Sequence, residues 1–421
     1  MALAVVAVPV VGVLATPTER GRPSQVLAEI GGPMAGARVT GRLGALVDTY
    51  GERAIATLRS NDAYYDEVRE NVVQAYADDP APLAPRVPLR PFAVAGADEP
   101  DTDEEAADAD ATDETTDGEQ PTGGDASGDA SGEDADGRAA GASPSSTPSP
   151  SPREEEPDEV TLVLISDNHC NTGMGRVMGE VARQAEADVV LNIGDTTMGG
   201  SGPEALCVDA LASELRDFPV VVADGNHDSL LTGDQERAQG WTVLDGGVVE
   251  VEGLRIVGDR DPRLTSVTLG DREFATKPEA AQVLVDAACA GHDPDDPSTR
   301  VDILAIHDPY VGNRVMPSGC VVLELSGHLH RRVGPFQEGL GVMFGMSSSG
   351  GATAGQLTLG ELPATATIGV LRYDRANKRP TALREVLIDP DRSVRLTPWE
   401  AFPEPPTTPV LADLSPAASQ R

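Results

Sequence analysis

From Glu159 onward the chain alternates apolar runs with amphipathic stretches. Val160–Ser166 reads VTLVLIS, the nearly continuous apolar run expected of a strand buried on both faces. Met174, Val177, Met178, Val181 and Ala185 then recur at helical spacing and predict a helix over Met174–Ala187. Val189–Ile193 is a second strand, Ala205–Leu215 a second helix and Val220–Ala223 a third strand. Further strands are expected at Leu254–Val257, Val301–Ile306, Val321–Ser326, Val342–Met346 and Thr367–Tyr373. Strand–helix alternation of this kind predicts an α/β domain, with bounds of 159–397. No internal repeat is visible.

The upstream pattern is different. Ala2–Ala15 is an apolar stretch of 14 residues containing Pro9 and Gly12 and flanked by Arg20 and Arg22. As a helix it would reach ~21 Å, short of a ~30 Å hydrocarbon core. Residues 1–22 therefore read as an export signal or as the end of a truncated membrane helix, with a buried strand as the competing reading. Either of the first two gives a membrane tether at the N-terminus and an extracytoplasmic, cell-envelope location. Residues 23–96 are expected to form a helical, stalk-like region. Within it Tyr65, Val68, Val72 and Tyr76 share one face, and five prolines in 80–96 favour extended chain. Residues 97–158 are rich in Asp, Ala, Thr and Gly and then in Ser-Pro. They have too little to bury to offset the entropy of ordering, which predicts a disordered linker averaging ~45 Å end to end. Residues 398–421 are expected to be a Pro-rich tail, ordered at first and then frayed.

Charge narrows the function. The 421 residues carry 32 Lys+Arg against 69 Asp+Glu, a formal net charge of −37. Residues 98–159 hold 22 of the acids against only Arg138 and Arg153. No basic stripe is available to displace counterions from phosphates, so no nucleic-acid-binding surface is expected. No protein partner is expected either. Four cysteines are too few for a disulfide-dense scaffold in a chain this long. They allow two disulfides in three connectivities. Neighbouring strands favour Cys170–Cys207 and Cys289–Cys320. Four reduced thiols are the alternative in a reducing compartment.

The histidines carry the candidate chemistry. Five of the six stand at or just beyond predicted strand ends, in Asp167-Asn168-His169, Gly225-Asn226-His227-Asp228, His307 and Gly327-His328-Leu329-His330. Gly194-Asp195 follows another strand. Ligands of open α/β sheets bind beyond the carboxyl ends of strands. Asp167 and His169, like His328 and His330, are two residues apart and would point the same way from extended chain. Asn226 and His227 would point apart, one toward a metal and one toward a substrate. His292 lies in a loop sequence and is not assigned. A His/Asp/Asn set without Cys excludes a thiolate zinc site. Seven possible ligands suit two divalent ions of the Mn, Fe or Zn type sharing a carboxylate. Such a pair, with a bridging hydroxide and net positive charge, favours hydrolysis of an anionic phosphoester.

The five blocks D-x-H, G-D, G-N-H-[D/E], H and G-H-x-H occur here in order. The chain resembles the calcineurin-like metallophosphoesterases over about residues 160–375. The run Ile256–Pro262 also looks like that of bacterial envelope-anchored members. The resemblance implies a sandwich of two mixed β-sheets flanked by helices. It implies that Asp167, His169, Asp195 and His330 hold one metal, and that Asp195, Asn226, His307 and His328 hold the second. It further implies that His227 protonates the leaving group and that Asp228 orients His227. Asp224 and Thr196-Thr197-Met198 depart from the family pattern without removing a ligand. Arg314 and Arg331 are the candidate substrate-binding arginines. A phosphomonoesterase or phosphodiesterase is the first reading. A pyrophosphatase acting on nucleotide or lipid pyrophosphates is the alternative, with a non-catalytic metal-binding envelope module as a third.

Overall fold

The computed structural model describes residues 60–79 and 158–409 except 267, 354–357 and 359, together with short strands at 22–23, 38–39 and 83–84. The apolar segment 2–15, most of the acidic linker and the end of the chain lie outside the described residues. Among the described residues, no helix is long and apolar enough to cross a membrane.

The domain is built on β1 (Glu159–Ile165), which pairs in parallel with β2 (Val189–Asn192). The helix α2 (Thr172–Gln184) makes the crossover between them. A second helix, α3 (Ala205–Leu215), leads to β3 (Val220–Val222), and α4 (Leu230–Ala238) leads to β4 (Thr242–Val243). Strands β5 (Val248–Val251) and β6 (Leu254–Gly258) form a hairpin that starts a second sheet. That sheet continues through α5 (Lys277–Cys289), β7 (Val301–Ala305), α6 (Pro309–Val315), β8 (Val321–Ser326), β9 (Val333–Glu338) and β10 (Gly341–Gly345). The chain then returns to the first sheet as β11 (Ala366–Asp374), β12 (Arg379–Ile388), β13 (Val394–Leu396) and β14 (Trp399–Ala401). The first sheet runs β14-β12-β11-β1-β2-β3-β4 and the second β9-β10-β8-β7-β6-β5. Both mix parallel and antiparallel pairs.

Period two sorts the side chains. Leu162 and Leu164 of β1 enter a core between the sheets with Leu191, Ile303, Leu323, Phe344 and Tyr373. Val163 and Ile165 face the other way, into a core under α2 and α3. A third core lies between the second sheet and helices α5 and α6. The architecture is a sandwich of two mixed sheets flanked by helices, as the sequence resemblance implied.

Both disulfides form as expected. Cys170–Cys207 joins the loop after β1 to α3, and Cys289–Cys320 joins the end of α5 to the start of β8. With sequence separations of 37 and 31, each closes a loop worth about 4 kcal/mol in the chain-entropy account.

Two expectations need correction. The helix at 60–77, called α1 from here on, is not a free-standing stalk. Tyr65, Val68 and Val72 are buried in the same core as α2. The Asn71 side chain donates to Arg392 O at 2.9 Å, and Arg384 pairs with Asp79 at 2.5 Å. The packed chain also continues past Pro398: β14 pairs with β12, and Trp399 and Phe402 are buried. Leu83–Ala84 adds a parallel strand outside β14.

Candidate metal centre

Five strand ends converge at one edge of the sandwich. Asp167 and His169 follow β1, Asp195 follows β2, Asn226 and His227 follow β3, His307 follows β7, and His328 and His330 follow β8. Donor atoms of Asp167, His169, Asp195 and His330 all lie within 4.8 Å of one another. His169 Nε2 is 3.1 Å from His330 Nε2 and 3.6 Å from Asp195 Oδ2. His330 Nε2 is 3.2 Å from Asp167 Oδ1. On the other side of Asp195, His307 Nε2 stands 3.2 Å from the same Oδ2. The His328 ring lies 5.2 Å from that of His307, and its Nδ1 is 3.0 Å from Asn226 Oδ1. The Asp195 carboxylate thus sits between a His169/His330 group and a His307/His328/Asn226 group. All seven expected ligands are brought together.

They do not reach the cavity from extended chain. Asp167, His169, Asp195, His328 and His330 have φ of 52°, 44°, 56°, 68° and 50°. Non-glycine residues in the left-handed region are uncommon, and such strain concentrates at functional sites. The turns, rather than strand alternation, aim each pair inward. Backbone hydrogen bonds hold them: Asp167 N donates to Gly194 O at 2.9 Å and His169 N to Asp195 O at 2.8 Å. Gly225 permits a close approach, because a Cβ there would stand 2.2 Å from Asp195 Oδ1.

The electrostatics fit a cation. Burial pushes Asp195 upward, but His307, His227 and His169 outweigh it and hold the carboxylate well below its usual range. Burial lowers His307, yet Asp195 and Asp167 overturn this and raise it well above the usual range. Burial takes His169 down to about 4. Positive charge is therefore demanded beside Asp195, while His169 remains a neutral ligand. His307 Nδ1 is 2.6 Å from Ile193 O, so it carries the proton and Nε2 offers its lone pair. That Nε2 is buried between Asp195 Oδ2 at 3.2 Å and Asp167 Oδ1 at 3.8 Å. Two facing imidazole nitrogens, two buried carboxylates and a third imidazole aimed at those carboxylates are a donor set that a divalent ion satisfies.

His227 is half-buried at the rim. Its Nδ1 is 3.1 Å from Met198 O, and its ring lies 5.1 Å from that of His169. Asp228 does not orient the His227 ring, contrary to the sequence expectation. Its Oδ1 accepts from Thr197 N (2.9 Å) and Thr197 Oγ1 (2.8 Å), and its Oδ2 from Thr196 N (3.1 Å) and Gly225 N (3.0 Å). Asp228 instead ties the loop after β2 to the loop after β3. The two threonines that depart from the family pattern are its partners. Asp224, the other departure, is buried beneath this loop, where burial raises its carboxyl against a hydrogen bond from Glu236. Of the candidate arginines, Arg314 donates to Tyr310 O at 2.6 Å, and Arg331 is exposed on the turn after His330.

Sequence reasoning missed two supports. Ser348 Oγ donates to Asp167 O at 2.7 Å, and Ser349 N to Ser166 O at 2.7 Å, so the loop after β10 locks the end of β1. Tyr65 and Asn171 brace the loop that carries His169. The helical face of α1 signalled that Tyr65 is buried, but nothing in its spacing indicated where its hydroxyl goes.

Residues 160–332 match the family model described as calcineurin-like phosphoesterase. The chain carries a calcineurin-like phosphoesterase domain. No curated protein matches it. Solved structures similar to it include an archaeal phosphodiesterase, 15% identical, covering 54% of this chain and 100% of that one at a TM-score of 0.33. A dimetal phosphatase from Danio rerio is 12% identical, covering 59% of this chain and 100% of that one at a TM-score of 0.35. A phosphoesterase from E. coli is 16% identical, covering 58% of this chain and 100% of that one at a TM-score of 0.28. The family places this domain among hydrolases of phosphoesters, which typically bind two divalent metals, and the candidate ligand cluster is present.

Proposed function

We propose that the domain hydrolyses a phosphomonoester or phosphodiester with two divalent ions held by the seven ligands. The observation that carries this reading is the Asp195 carboxylate, with His169 at 3.6 Å and His307 at 3.2 Å from the same oxygen. Asp167, His169, Asp195 and His330 would hold one ion, and Asp195, Asn226, His307 and His328 the other. Bound there, two such ions supply Lewis acidity and an activated water for in-line attack on phosphorus.

The chain's own groups do the rest. His227 Nδ1–H donates to Met198 O, which leaves Nε2 as the ring nitrogen able to pass a proton to the leaving oxygen. Asp228 and Thr197 hold the His227 backbone, since Thr197 Oγ1 donates to His227 O at 2.8 Å. His227 N donates to Asp195 Oδ1 at 2.9 Å, which sets the ring beside the shared carboxylate. The anionic substrate would meet this cationic centre at the rim.

We further propose that the domain lies outside the cytoplasm, tethered through its N-terminal apolar segment. Two disulfides support an oxidising compartment, and cell fractionation tests it. Metal titration alongside hydrolysis of 4-nitrophenyl phosphate and bis(4-nitrophenyl) phosphate tests the activity. Metal-dependent turnover that disappears in Asp195→Asn supports it. Tight metal binding with no turnover on esters or pyrophosphates would leave a binding module.

A further inference from the structure

Strand β8 carries an unexpected residue. Leu323 and Leu325 face the core between the sheets, so Glu324 faces the opposite way, beneath α6. That face is covered, and an apolar side chain would be ordinary there. Glu324 is 0% exposed, and neither carboxyl oxygen has a hydrogen-bond partner of normal geometry. It lines a cavity of about 60 Å³ with Asn313, Tyr310, Leu329, Phe336 and Met343. Asn313 is 8% exposed, and its Oδ1 is also unpartnered. Asn313 Oδ1 is an acceptor, and the Glu324 carboxyl offers at least one acceptor oxygen.

Two acids act on Glu324, while the exposed Arg331 stands among the residues that line the cavity. Glu338 and Asp308 both act on Glu324 and raise its carboxyl, after burial, well above the usual range; the Ser326 hydroxyl and Phe344 amide offset this only in part. The nearby cation Lys277 is engaged with Asp308 at 3.2 Å. Stranding a buried polar group costs about 1–3 kcal/mol, and native structures rarely keep one without a use. The space holds roughly two waters' volume, or a short aminoalkyl head.

Two residues that line the cavity are sequence neighbours of candidate ligands. Leu329 and Arg331 line it, and they alternate with His328 and His330 on one turn. We infer that this cavity is a subsite for a compact ammonium group on the phosphoester substrate, with Glu324 and Asn313 accepting its hydrogen bonds and the apolar walls holding its methylenes. The substrate class is therefore an aminoalkyl phosphoester. The inference rests on the hydrolase reading above.

The test compares 2-aminoethyl 4-nitrophenyl phosphate with propyl 4-nitrophenyl phosphate, and phosphoethanolamine with propyl phosphate. Each pair differs in the ammonium alone. The full-length, metal-loaded protein is used at physiological salt. The expected result is at least a tenfold higher kcat/KM for the amino ester of whichever pair turns over. In Glu324→Gln that preference falls to near one, while hydrolysis of the propyl ester is unchanged. Asn313→Ala reports on the same subsite without touching the buried carboxyl, and it carries the test if Glu324→Gln fails to fold. Equal rates on both members of a pair, or a preference that survives in both variants, would overturn the subsite. No hydrolysis of any ester would instead sink the hydrolase reading on which it stands.

Discussion

The Tyr65 hydroxyl accepts a hydrogen bond from the Asn171 side chain at 2.9 Å, across 106 positions of sequence. It donates in turn to Gly360 O at 2.7 Å. Asn171 caps α2 through Met174 N and also donates to Gly350 O at 3.2 Å. Gly350 N lies 3.3 Å from Asp167 O. Tyr65 is thus three hydrogen bonds from the expected ligand Asp167. Tyr65→Phe removes one hydroxyl from a buried network, which should cost about 1–3 kcal/mol. Thermal melting would read the loss. Metal affinity should fall in parallel, and an unchanged affinity would show that α1 supports the fold without bracing the centre.

Asp195→Asn and His227→Ala should fail differently. Asp195→Asn removes the shared carboxylate, so metal content should drop and hydrolysis should fall by at least ~100-fold. His227→Ala should keep its metal and lose kcat by roughly 100- to 10,000-fold. A leaving group of low pKa, which needs no proton, should recover most of that loss. Metal analysis beside a series of leaving groups separates the two, and full activity in either variant would refute its role.

Glu338 gives the stability of the domain a pH dependence. Burial raises its carboxyl from 4.5 to about 7. The folded state therefore binds the proton more tightly than the unfolded state does. Stability from this group is present below pH 4.5 and is lost as pH rises through about 7. Denaturant melts across that window should show Glu338→Gln losing less stability than the parent, by ~1–3 kcal/mol. Parallel curves would mean the carboxyl is not desolvated.

Cys170→Ser should lower stability by about 2–4 kcal/mol through the unfolded chain. The bond also anchors the residue next to His169, whose own φ of 44° needs support. Loss of metal affinity beyond the loss of stability is expected in a paired titration and melt. Equal affinity would confine the disulfide to the unfolded-state effect.

The centre was legible because its ligands sit in short ordered blocks beyond strand ends. Spacing picked out Asp167, His169, Asp195, Asn226, His307, His328 and His330 as candidate ligands but not how they are aimed. The reason given, extended alternation, fails because left-handed turns are a property of local hydrogen bonding with Gly194, Asp195 and Thr196, which hydrophobic pattern does not encode. Strand β12 went unseen for a related reason. Its interior holds Arg384 and Glu385, which read as exposed but are buried against Asp79 and Arg332. The role of Asp228 was misread because a carboxylate beside a histidine in sequence need not face its ring. Polar groups satisfied at long range leave no periodic trace.

The docking of α1 has an architectural consequence. Its Tyr65, Asn71 and Asp79 are held by residues hundreds of positions later, while residues 80–157 intervene before β1 begins. The closure entropy of a long connection grows only logarithmically, so doubling it adds about 0.6 kcal/mol. Evolution, or an engineer, can therefore lengthen that tract at little cost to the docking of α1. The folded unit is thus discontinuous in sequence, with α1 and the α/β domain packed into one core.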